Sequence, residues 1–157
     1  MQTSPEKSNF TDILVAARAA AGNPRVLDPL RKLLAEAQEE VLRLEIPCRA
    51  CGACCDFSAM DHRLFVSAAE LALLAEVRPP NPPARLRCPY QHENLCMARD
   101  RRPLGCRVFY CNPASREPLH DLYERYHQRI ATLHQEAGVP YVYAEMTGWL
   151  EAYWVES

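Results

Sequence analysis

Four cysteines fall within eight consecutive residues, Cys48-Arg49-Ala50-Cys51-Gly52-Ala53-Cys54-Cys55, and Cys88, Cys96, Cys106 and Cys111 add four more downstream. Thiols this crowded have to be fastened by something, and the fold must carry both groups to the thing that fastens them. Residues 1–22 read poorly as a signal peptide: Glu6 and Asp12 precede the apolar stretch and Arg18 interrupts it. The cytoplasm is therefore the expected compartment, where thiols stay reduced. Metal ligation is expected ahead of disulfides, which stand as the competing explanation.

At 157 residues, 48% hydrophobic and 24% charged, the chain fits one domain with a conventional core. Its formal net charge of −2 argues against a protein built to coat nucleic acid. Eight thiolates would add negative charge that only a metal offsets. No apolar run is long enough to cross a bilayer, and a monomer without a membrane partner is expected. Lys7 and Lys32 are the only lysines, so basic character rests on arginine.

Helical segments over residues 10–45 and 118–154 flank the cysteine-rich module, residues 47–111. A first helix is expected over Phe10 to Ala21, stopped by Gly22-Asn23-Pro24. A second should start near Asp28-Pro29 and run to Leu44, with Leu27, Leu30, Leu34, Ala37, Val41 and Leu44 as its apolar stripe. Ser67 and Glu70 form a capping-box pair opening a short helix to Val77. The prolines of residues 78–83 then force an extended connector. Leu86 to Met97 reads as a hairpin turning near Glu93-Asn94, and Arg107 to Cys111 as another short strand. A long helix is expected from Pro118 to Ala137, ended by Gly138, then an extended Val139 to Tyr143 and a last helix over Thr147 to Trp154. The expected fold is mainly α: a small helical domain around an irregular cysteine-rich metal core, with the hairpin as its only substantial β element.

A C-x2-C turn brings two sulfurs within reach of one metal, and Cys48-x2-Cys51-x2-Cys54 chains two such turns around Gly52. Three cysteines so spaced match most of the run that holds an iron–sulfur cluster in bacterial-type ferredoxins, where the fourth ligand precedes a proline. Cys88-Pro89 supplies that dipeptide, far downstream. Cys54 and Cys55 are neighbours whose side chains diverge on an extended backbone, so one ion is not expected to take both. Two four-cysteine zinc sites and one cluster using some of the cysteines both fit the spacing. Arg85, Arg87, Arg99, Arg101, Arg102, Arg107 and Arg116 surround the second quartet, where guanidinium groups would stabilise a negatively charged centre.

The run Cys48-x2-Cys51-x2-Cys54-Cys55, then Cys88-Pro89, Cys96 and Arg102-Pro103-Leu104-Gly105-Cys106-Arg107-Val108-Phe109-Tyr110-Cys111, resembles the YkgJ-type cysteine cluster proteins. The resemblance spans about residues 47–111 and implies a zinc- or iron-chelating domain with eight cysteine ligands. A related module occurs in flagellin lysine N-methylases. This chain has no glycine-rich methyl-donor loop, so methylation is not implied.

His120, His127 and His134 recur every seven residues on one face of the long helix, read here as a solvated flank. His62 and His92 lie near the cysteines in sequence and read as surface residues. The carboxy-terminal aromatics should pack the core, with a few shielding the centre from water. No catalytic nucleophile constellation stands out. Two function classes follow: an iron–sulfur redox or metal-handling accessory protein with a protein or redox partner, and a zinc-stabilised protein-interaction module without catalysis.

Overall fold

The structure is a computed structural model that describes residues 5–48, 52–57, 63–82 and 87–155. It is mainly helical. Helix α1 spans Pro5–Ala20 and α2 spans Pro24–Arg43. Strand β1, Phe65–Ser67, leads directly into α3, Ala68–Leu74. The hairpin strands are β2, Gln91–His92, and β3, Leu95–Cys96. Then come the short α4, Leu104–Val108, the long α5, Arg116–Ala137, strand β4, Tyr143–Glu145, and α6, Met146–Val155.

Every residue of α3 is buried, which makes it the centre of the molecule. α1 packs on it, α2 lies against α5, and α4 sits between α2 and α5. Alanines at 16, 17 and 20 of α1 and at 68, 69 and 72 of α3 are all buried. Small side chains on both faces let two helix backbones approach closely. Leu30, Leu34, Leu71, Leu73, Ile130, Met146, Trp149 and Leu150 fill the rest of the core.

Helix α2 begins earlier than Asp28-Pro29 suggests. Asn23 is the N-cap, its Oδ1 accepting from the Arg25 amide at 3.1 Å, and Pro24 occupies the first turn. Pro29 therefore lies inside the helix and cannot donate to the Arg25 carbonyl, a loss the buried stripe from Val26 to Val41 outweighs. On its outer side Glu36 and Glu40 pair with Arg129 and Arg125 of α5, each at 2.8 Å.

Residues 107–111 form no strand: Leu104–Val108 is helical, with Pro103 as its N-cap. The helix is held from outside. Buried Glu70 accepts from the Ser67 amide and hydroxyl through Oε2, both at 2.8 Å, completing the capping box. Its Oε1 accepts from the Leu104 amide at 2.8 Å, satisfying one of the orphan donors at the start of α4.

The hairpin forms as expected, with Glu93 and Asn94 at φ 49° and 64°, the left-handed pair a two-residue turn demands. It is not the sole β element. β1 pairs antiparallel with β4, Phe65 opposite Glu145 and Ser67 opposite Tyr143. Among the described residues, no helix is long and apolar enough to cross a membrane.

Candidate metal centre

Cys48 lies on the exposed chain beyond the end of α2. Gly52, at φ 74°, turns the chain into a single 3-10 turn, Ala53–Cys55. That turn presents Cys54 to the surface and leaves Cys55 half-buried. The next residue, Asp56, bridges antiparallel to Arg87, and the Cys88 amide donates to the Cys55 carbonyl at 2.9 Å. A short backbone ladder thus joins the first cysteine segment to the second.

Gln91 reinforces the junction. Its Nε2 donates to the Gly52 carbonyl at 2.7 Å, while its Oε1 accepts from Arg87 Nε at 3.1 Å. Asn81 braces the same turn from the proline connector, Nδ2 donating to the Gln91 carbonyl at 2.6 Å. Tyr90 anchors the segment to the core: its hydroxyl donates to carbonyls at and just beyond the end of α3, Leu74 at 3.1 Å or Val77 at 2.8 Å. Cys96, on β3, faces the Gln91 register position, and Cys106 rides on α4. Cys88, Cys96 and Cys106 all pack against the apolar core. Cys111 is exposed beyond α4.

The thiols interact across the two groups. Cys54 hydrogen-bonds Cys55, which in turn hydrogen-bonds Cys88. The Cys54 thiol is pushed up by that bond to Cys55 and by burial. Cys55 is pulled down by Cys54, but its bond to Cys88 and its burial prevail and raise it to about 11. Cys106 is pushed up mainly by burial, with Cys96, Cys55 and Cys54 adding to the effect. Each thiolate would repel the others in a half-buried place, so the set ionises only where positive charge compensates.

A soft cation supplies that charge, and crowded thiols are the donors it prefers. The donor set therefore fits zinc or an iron–sulfur centre. Among the described residues, no three His, Cys, Asp or Glu side chains are gathered around one point as ligands to a single ion. Cys51, the middle cysteine of the first run, lies outside the described residues, as do Arg85 and His62.

The arginines divide their work. Arg102 is the one whose charge lowers both Cys54 and Cys106. Arg101 instead pairs with Glu76 at 2.9 Å, next to Arg31 at 2.7 Å. Arg107 is buried and turned onto carbonyls, Arg102 at 2.8 Å and Asp100 at 3.1 Å, where it stiffens the loop before α4.

The histidine stripe is a solvated flank at His120 and leaves solvent further along the helix. His134 is fully buried: its Nε2 accepts from the Ala69 amide at 3.3 Å, which leaves Nδ1 to donate to the Val139 or Pro140 carbonyl. His127 packs edge-on to Tyr143 and shares a hydrogen bond with the Tyr141 hydroxyl at 2.5 Å, while His120 and His92 are exposed. Sequence reasoning passed over Gln91 and Asn81, and over the second contact of Glu70, to the Leu104 amide. Only Glu70 carried a signal, as half of the capping box. No family model, curated protein or solved structure matches this chain.

Proposed function

We propose that the chain is a metal-chelating cysteine cluster protein of the YkgJ type, holding an iron–sulfur centre as a redox or metal-handling accessory protein of the cytoplasm. One observation supports it most: the Cys55 carbonyl to Cys88 amide bond, which ties both quartets into one interacting set of Cys54, Cys55, Cys88, Cys96 and Cys106. A multinuclear centre that draws ligands from both quartets suits such a joined set. When bound, such a centre stores and releases single electrons. The chain's own residues do the rest. Arg102 offsets thiolate charge, Gln91 and Asn81 fix the loop, and Tyr90 and the core exclude water from one side.

A second reading, a zinc-stabilised module that docks on another protein, draws on the hairpin. Leu95 and Met97 flank Cys96 and are 62% and 50% exposed, apolar side chains in the position of a contact. Anaerobic purification followed by iron, zinc and sulfide determination and visible absorption separates the two. Brown protein with iron and sulfide that bleaches with dithionite supports the first reading. Colourless protein with stoichiometric zinc and no sulfide, after expression with ample iron, replaces it with the second.

A further inference from the structure

Beside Cys111 lies a concavity of about 510 Å³, within the range of pockets that enclose small organic molecules. Its apolar walls are aromatic. Phe65 and Tyr143, on paired strands, stack at 5.7 Å between ring centroids yet remain 40% and 37% exposed. Tyr110 and Tyr123 line the same space, and the Tyr123 and Tyr143 hydroxyls hydrogen-bond to one another at its wall.

Its charge is one-sided. Arg63 and Arg116 line the cleft, and His120 stands one helical turn beyond Arg116 on the same face of α5. Among the described residues no carboxylate lines it, and neither arginine forms an ion pair. Four other arginines are spent on carboxylates at 2.7 to 2.9 Å: Arg31 and Arg101 on Glu76, Arg125 on Glu40, Arg129 on Glu36. Two guanidinium forks left open beside exposed aromatic faces match a planar ring bearing an oxyanion. Such a ring would stack on Phe65 or Tyr143, and the arginines would take its oxygens bidentately.

We propose that this cleft binds a small organic anion, a planar ring carrying a carboxylate or phosphate, beside Cys111. The site does not depend on which metal the cysteines hold. The test is titration of the protein as purified with naphthalene-2-carboxylate, 2-naphthyl phosphate and the uncharged naphthalene-2-methanol, followed by amide chemical shifts in NMR. At least one anion should saturate shifts at the cleft residues and bind about tenfold or more tighter than the alcohol. The tighter anion identifies the head group. The double variant Arg63→Gln/Arg116→Gln, at exposed positions, should lose about tenfold or more, and Arg125→Gln, outside the cleft, should lose nothing. Equal binding of anions and alcohol overturns the proposal. So does full affinity in the double variant, or no saturation at the cleft by either anion up to about 5 mM.

Discussion

Gln91 holds the carbonyl of Gly52 at 2.7 Å across 39 residues of sequence, joining the turn before Cys54-Cys55 to the strand opposite Cys96. The same side chain receives Arg87, so one amide serves both cysteine segments. Gln91→Ala is expected to cost about 1 kcal/mol in denaturant unfolding, the Gly52 carbonyl keeping its bond from the Cys55 amide. Metal retention under dialysis against a chelator should fall further than this stability loss alone would give. Retention equal to wild type would show that the clamp does not act on the centre.

The glycine at the other end of that bond is constrained twice. At φ 74° Gly52 sits where an L side chain is strained, and an added Cβ would stand 2.4 Å from Gln91 Nε2 and 3.1 Å from the Asn94 backbone. Gly138, at φ 70°, has open space around it. Gly138→Ala should cost only the backbone strain of about 1 kcal/mol, and Gly52→Ala clearly more, with reduced metal content. Equal losses in thermal melts would mean that the turn can shift away from Gln91.

Glu70 uses both oxygens as acceptors, from Ser67 and from Leu104. An amide in its place turns an N–H toward donors already there. Glu70→Gln should therefore cost about 1–3 kcal/mol despite its near-identical shape, and should loosen the helix carrying Cys106. Hydrogen exchange at residues 104–108 is the readout, and unchanged protection would contradict it.

His134 predicts a pH dependence. Burial holds its pKa below the ordinary value of 6.5, against weaker upward pulls from the Val139 and Pro140 carbonyls. The unfolded chain therefore binds the proton first. Stability from the neutral ring is complete above about pH 6.5 and is lost as pH falls through the depressed folded value, before carboxylates near pH 4 titrate. Urea midpoints at pH 7.5, 6.5 and 5.5 should fall more steeply for wild type than for His134→Gln. Metal loss on acidification is common to both proteins, so parallel slopes would refute the assignment.

Local chemistry made part of this readable in advance. Helix α5 follows its Leu119, Leu122, Tyr126, Ile130 and Leu133 stripe, and the Ser67–Glu70 box opens α3 where the spacing put it. The failures are tertiary. Helix α4 begins at an amide that Glu70 satisfies from 34 residues away, and no short window contains that partner. The β1–β4 pairing joins residue 65 to residue 145 for the same reason. A seven-residue histidine repeat looks alike on a wet or a dry face, and the Ala69 amide decides it for His134. At the centre, eight cysteines were plain from spacing, but the glutamine and asparagine that fasten their loops carry no motif.

If thiols from both cysteine segments serve one centre, removing a thiol from either segment should have the same consequence. Cys55→Ser and Cys88→Ser each remove one member of the hydrogen-bonded thiol pair that spans the two segments. Metal and sulfide per chain should be measured after anaerobic purification, with wild type alongside. Both variants should lose the same metal to a similar extent, together with any visible absorption. Full metal content in Cys88→Ser beside loss in Cys55→Ser, or no bound metal in wild type, would contradict it.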